Sequence, residues 1–144
     1  MADIVHLIQI AVPPGKVYEL VGTPEGFQAW WAEDVEKRDD GSIDLGFFDR
    51  SVVYRFRAAD QRPDERASWR CETGHEWQGT TLDFAVQPAD AGGAVLRFTH
   101  RDWQAQTDYF AQCNTTWGAL MFRLKAAAEG KSPGPLFTRS GMAS

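Results

Sequence analysis

The sequence predicts an α+β domain in which a curved antiparallel β-sheet wraps one long C-terminal α-helix. Three observations carry that prediction. Residues 107–129 place Tyr109, Phe110, Cys113, Trp117, Leu120, Met121 and Leu124 at helical spacing, an apolar stripe over about four turns. Between residues 43 and 101, apolar and polar side chains alternate with period two in segment after segment, the signature of strands with one covered face. Only one further strand and two short helices precede them. A sheet with a single helix as cover must curl to bury its inner face.

The elements follow in order. Residues 3–12, Asp-Ile-Val-His-Leu-Ile-Gln-Ile-Ala-Val, form a β-branched run that reads as the first strand. Pro13-Pro14-Gly15 ends it, and a proline there also opens a short helix carrying Val17, Tyr18, Leu20 and Val21. Thr23-Pro24-Glu25 signals a second helix start, with a threonine cap and proline in first position. That helix carries Phe27, Trp30 and Trp31. Asp39-Asp40-Gly41-Ser42 is a turn, and strands follow at 43–48, 51–59, 66–72, 80–87 and 94–101. The long helix spans 107–129, and Gly130 is its natural stop. We divide the chain into a domain at 1–130 and a C-terminal tail at 131–144. The tail's Pro133, Gly134, Pro135 and Gly141 read as exposed, while Leu136 and Phe137 are able to dock.

Composition narrows the function classes. A chain of 144 residues with 43% hydrophobic side chains buries a core without disulfide or metal. Net charge is −5 with no basic cluster, which argues against a nucleic-acid partner. No apolar run has the length of a membrane span. Cys71 and Cys113 lack metal-ligand spacing and read as buried thiols. No signal-peptide pattern opens the chain, so a cytoplasmic protein is expected. No glycine-rich phosphate loop, nucleophile elbow or metal cluster appears, and no cofactor is expected.

Six tryptophans are many for this length. The inward aromatic set is either core or the wall of a pocket for a small hydrophobic or amphipathic ligand. The candidate ligand-binding residues are Trp30, Phe56, Trp69, Phe84, Phe98, His100, Tyr109, Phe110, Cys113, Trp117 and Met121. Strand alternation turns His100 inward, which makes it the one candidate catalytic residue, as general acid or base. The competing reading is a histidine satisfied by its neighbours. His75-Glu76 reads as a solvated loop. Arg55, Arg57, Arg70 and Arg97 read as cross-strand ion-pairing residues on the wet face.

Four segments carry a resemblance to a known family. They are Ile10 to Pro13 with Val17-Tyr18, Thr23 to Phe27 leading to Trp30-Trp31, Leu96 to His100 with Trp103, and Cys113 to Trp117 with Leu120 and Leu124. In this order they resemble the helix-grip superfamily (START-like, Bet v-like) of steroidogenic-acute-regulatory lipid-transfer domains, pathogenesis-related class-ten proteins and polyketide cyclases. Within it the chain is most similar to the branch of heat-shock protein 90 ATPase activator homologues. The resemblance implies an internal cavity rather than one shared reaction. It implies non-catalytic binding of a small hydrophobic molecule, as carrier or sensor. It offers as alternatives a cyclase or hydratase using His100, and a chaperone-modulating module. The chaperone-activating members carry an additional domain with no counterpart in these residues. A homodimer is left open.

Overall fold

A computed structural model describes residues 1–142. Strand β1 (Ala2–Ile10) leads into α1 (Pro14–Val21) and α2 (Pro24–Trp30). Then come β2 (Asp34–Lys37), β3 (Ile43–Phe47), β4 (Val52–Arg62), β5 (Arg66–Thr73), β6 (Thr81–Pro88) and β7 (Ala94–Trp103). Helix α3 (Asp108–Ala128) closes the fold. All neighbouring strands are antiparallel, in the order β1-β7-β6-β5-β4-β3-β2. Each strand from β2 to β7 pairs with its sequence neighbour through a short turn, and β1 returns to pair with β7. This is the helix-grip arrangement the sequence predicts.

The helix starts are set by local chemistry. Pro14 holds the first position of α1, where a missing N–H costs nothing. Thr23 Oγ1 accepts the Gly26 N–H at 2.9 Å, and Pro24 follows it. Gly26 is required for packing: a Cβ there would collide with the backbone of Glu19 and Leu20. Thr107 Oγ1 caps α3 by accepting from the Phe110 N–H at 3.2 Å.

The inner face is solidly aromatic near β5, β6 and β7. Phe84 and Phe98 lie 4.9 Å apart between ring centroids, and Phe98 meets Trp117 of α3 at 4.2 Å. Trp30 and Trp69 donate their indole N–H groups to the carbonyls of Leu20 and Val21 that end α1. The outer face carries ion pairs: Asp44 with Arg55 and Arg38, Asp83 with Arg66 and Arg101, and Arg57 with Glu72 and Asp40. Both cysteines are buried free thiols.

Two features depart from the sequence reading. Residues 34–37, which carry no alternation long enough to read, form the edge strand β2. Residues 131–142 are not loose. The Leu136 and Phe137 N–H groups donate to the carbonyls of Trp30 and Trp31, and the Glu33 N–H donates back to Phe137. The Arg123 guanidinium clamps the carbonyls of Pro133 and Gly134 at 2.8 and 2.7 Å. The end of α2 has free carbonyls, and the prolines keep the following segment extended enough to cover them.

Candidate functional site

Beyond β5 the sheet curls away from α3, and a cavity of about 280 Å³ opens there. Its floor is Val52 and Tyr54 of β4 with Phe47 of β3. The opposite wall is the first half of α3: Tyr109, Cys113, Thr116, Trp117 and Leu120. Trp31 at the end of α2 and Trp77 in the β5–β6 connection close the inner end. Phe137 closes a further side and packs edge-on against Phe47, 5.1 Å between centroids. Phe48 and Met142, each about half exposed, stand at the mouth.

Local structure explains why these side chains meet. Period two along β4 points Val52, Tyr54 and Phe56 to one face. Gly74, at φ +118°, lets the backbone pass flat over the Tyr54 ring, where a Cβ would strike it. The Tyr54 ring then stacks on Trp77 at 4.2 Å and 11°. The Thr107 hydroxyl donates to Glu76 Oε1, which ties the β5–β6 connection to the start of α3. At the mouth, Phe48, Asp49 and Arg50 all adopt positive φ, a costly run for residues with a Cβ. It is held by the Asp49 N–H donating to the Arg139 carbonyl and by Arg50 pairing with Asp34 and Glu36.

Electrostatically the cavity is neutral. None of its lining side chains is an acid or a base of ordinary charge at neutral pH. The hydroxyls of Tyr54 and Tyr109 share a hydrogen bond. Burial pushes the Tyr54 phenol up to about 12 and Tyr109 still higher. Burial also raises the Cys113 thiol, against the weaker pull of Trp77 and Tyr109. A protonated thiol is a poor nucleophile. The Trp77 indole N–H is buried, and the Cys113 thiol is the group it acts on.

Of the residues proposed from sequence, Tyr109, Cys113 and Trp117 line the cavity. Trp30, Phe56, Trp69, Phe84, Phe98, Phe110 and Met121 do not; they are packed in the core. His100 is also displaced from the site. Trp117 Nε1–H donates to its Nδ1 at 3.2 Å, so the proton sits on Nε2, which faces Thr80 Oγ1 at 2.8 Å. Thr80 in turn donates to the Trp77 carbonyl. Burial lowers the imidazole to about 3. A neutral ring with both nitrogens occupied has no proton-transfer role to offer a ligand in the cavity. His100 instead braces Trp77 and Trp117, two walls of that cavity.

The cavity residues that sequence reasoning missed are chiefly Trp31, Phe47, Tyr54, Trp77 and Phe137. Tyr54 was findable, two residues from Phe56 on the same strand face. Trp77 sits in a connection without periodicity, and no sequence signal marks it. Among the described residues no helix is long and apolar enough to cross a membrane, and no group of three or more His, Cys, Asp or Glu is placed to hold a metal.

Comparison with known proteins locates the fold. The chain is similar to the Aha1 dimer from Colwellia psychrerythraea, solved in solution, with TM-score 0.79 and 28% identity over 91% of this chain and 98% of that one. It is similar in fold to protein MLL2253 from Mesorhizobium loti, with TM-score 0.75 and 16% identity over 89% and 97% of the two chains. CalU16 from Micromonospora echinospora shares the fold at TM-score 0.71 and 14% identity, over 92% and 68%. A search of the curated proteins found no match. The family model for Activator of Hsp90 ATPase homolog 1-like protein matches residues 11–129. That span runs from the end of β1 through the whole of α3, and the chain therefore belongs to the family of Activator of Hsp90 ATPase homolog 1-like proteins.

Proposed function

We propose that the protein binds a small hydrophobic molecule in the cavity between α3 and the β3–β4 hairpin, without transforming it. The observation that carries this reading is the cavity itself: about 280 Å³, walled by aromatic and aliphatic side chains with no charged group. Enclosing an apolar molecule there releases about 25 cal/mol per Å² of buried apolar surface before the costs of association. The polar groups present, the Tyr54, Tyr109 and Thr116 hydroxyls, the Gln112 amide and the Cys113 thiol, are uncharged. His100, the acid–base candidate, is engaged elsewhere, which favours a carrier or sensor over a cyclase or hydratase. Native mass spectrometry of protein purified from cells tests the reading. We expect an adduct lost in the cavity-filling variant Val52→Trp. An adduct retained in full by a folded Val52→Trp would contradict it.

A second reading has its own support. The solved Aha1 chain is matched almost end to end, so the likeness does not depend on an additional domain. We therefore keep chaperone modulation and self-association as testable roles for this chain. Light scattering would show a mass near twice 16.1 kDa for a dimer. An ATPase assay with a heat-shock protein 90 would show stimulation if the family name extends to this member, and no change in turnover would set that role aside.

A further inference from the structure

We propose that two copies of this chain join along the free edge of β1, with Val5 of one copy opposite Leu7 of the other. The inference rests on the reading that the chain self-associates, and it names the surface.

The two edges of the sheet are built differently. Strands β1 and β2 end the strand order. Strand β2 is four residues long and carries Asp34, Glu36 and Lys37, with Arg50 paired to both acids. Short length and charge protect an edge against further pairing. Strand β1 is nine residues long. From Ile4 to Ile8 it has no acid, lysine, arginine or proline, and its register with β7 runs without a shift. Val5 and Leu7 are 50% and 60% exposed on its outer side. Among the described residues they join Met1 and Phe122 as the exposed large apolar side chains away from the cavity mouth.

Local geometry says which peptide groups are free. The Lys125 ammonium donates to the Gln9 carbonyl at 3.0 Å, and the Ala11 N–H donates to Glu129 at 2.9 Å. The odd-numbered residues of β1 therefore turn their peptide groups away from β7, because those groups alternate sides along a strand. Lys125 and Glu129 cover one end of the edge, and the N–H and C=O groups of Val5 and Leu7 face outward beyond them. A second copy, paired antiparallel about a two-fold axis, is self-complementary to such an edge. The register decides what it covers. Val5 against Val5 sets Leu7 against Asp3. Leu7 against Leu7 sets Val5 against Gln9, whose carbonyl Lys125 already holds. Val5 against Leu7 exchanges both backbone hydrogen bonds in each of two symmetry-related pairs and covers the apolar side chains of both copies. His6 then lies at the centre, next to Gly118, where α3 has no side chain to obstruct a second copy; a Cβ there would come within 3.6 Å of His6 Cε1. Phe122, 69% exposed and one turn further along α3, is placed to reach across.

Sedimentation equilibrium of the full chain over a range of concentrations tests the proposal. The unmodified protein should approach a mass of twice 16.1 kDa. Leu7→Lys and Val5→Glu, both at exposed positions, should each raise the dimer dissociation constant at least about tenfold, because each change is felt in both cross-strand pairs. In Val5→Glu/Leu7→Lys the new charges oppose each other across the edge in both pairs, and dimerisation should recover, which neither a loss of fold nor another register would give. Amide exchange gives a readout on the unmodified protein. The Val5 and Leu7 N–H groups should be protected at dimeric concentrations and exchange freely on dilution, while those of Ile4 and His6, bonded to β7, stay protected throughout. A dimer that survives unweakened in folded Leu7→Lys, or whose Val5 and Leu7 amides exchange freely, would overturn this proposal and leave self-association standing. So would a failure of the paired variant to recover. A protein that stays monomeric at every concentration would overturn both and leave the edge to a strand of a different protein.

Discussion

His100 shows how much one buried side chain decides. Its imidazole is held neutral between Trp117 and Thr80, and burial depresses its pKa from 6.5 to about 3. Between those values the unfolded chain takes up a proton that the folded chain refuses. Its contribution to stability is therefore complete above pH 6.5 and is lost as pH falls toward 3, by up to about 1.4 kcal/mol per pH unit. Urea unfolding at pH 7.5, 6.5 and 5.5, above the carboxylate range, should show this slope, and His100→Gln should flatten it. An equal slope in both proteins would mean that other groups govern the acid response. At the other end of the scale, Tyr54 should resist ionisation until about pH 12; its raised pKa makes folding weaker as pH climbs above 10, where the unfolded phenol ionises. Trp117 is 1% exposed and supports both His100 and the cavity wall. Trp117→Ala should cost about 3–5 kcal/mol in denaturant unfolding. A loss under about 1 kcal/mol would place it outside the core.

Among the elements, α3 and the alternating strands were legible in the sequence because each repeats a geometric period several times. The inward faces of β5, β6 and β7 follow from period two, and Leu82, Phe84, Val86, Leu96, Phe98 and His100 are all buried. What alternation cannot report is the gap between a strand and the helix above it. The candidate ligand-binding set includes Trp69, Phe84 and Phe98 on the inner face of β5, β6 and β7, where Phe84, Phe98 and Trp117 in fact fill the space. The void lies over β3 and β4, because the curl of the sheet carries those strands away from α3. The final segment was legible only in Leu136 and Phe137, the two residues able to dock. Its attachment depends on carbonyls left free by α2 and on Arg123, none of which is marked by composition. Removing residues 131–144 deletes Leu136 and Phe137 and one cavity wall. The truncated protein should fold but lose about 2–5 kcal/mol, measured by chemical denaturation, and it should bind apolar probes more weakly. Unchanged binding would show that this segment is packing alone.

On the scale of the whole molecule, one sheet does two jobs with one helix. Where β1 and the strands beside it lie close to α3, rings interdigitate and the core is solid. Where the sheet turns away, Trp31, Trp77 and Phe137 bridge the gap and leave a neutral chamber. The polar outer face, laced with ion pairs, contributes solubility more than stability. Apolar exposure on the sheet is concentrated on the outer side of β1, at Val5 and Leu7, well apart from the chamber. That separation makes the central claim open to a direct measurement. A titration of isotope-labelled protein with ethylnaphthalene, followed by amide and indole resonances, should shift Trp31, Tyr54, Trp77, Cys113, Trp117 and Phe137 together along one saturating curve. Val5 and Leu7 should stay in place. Shifts confined to the outer face of β1, or none at probe saturation, would contradict the account.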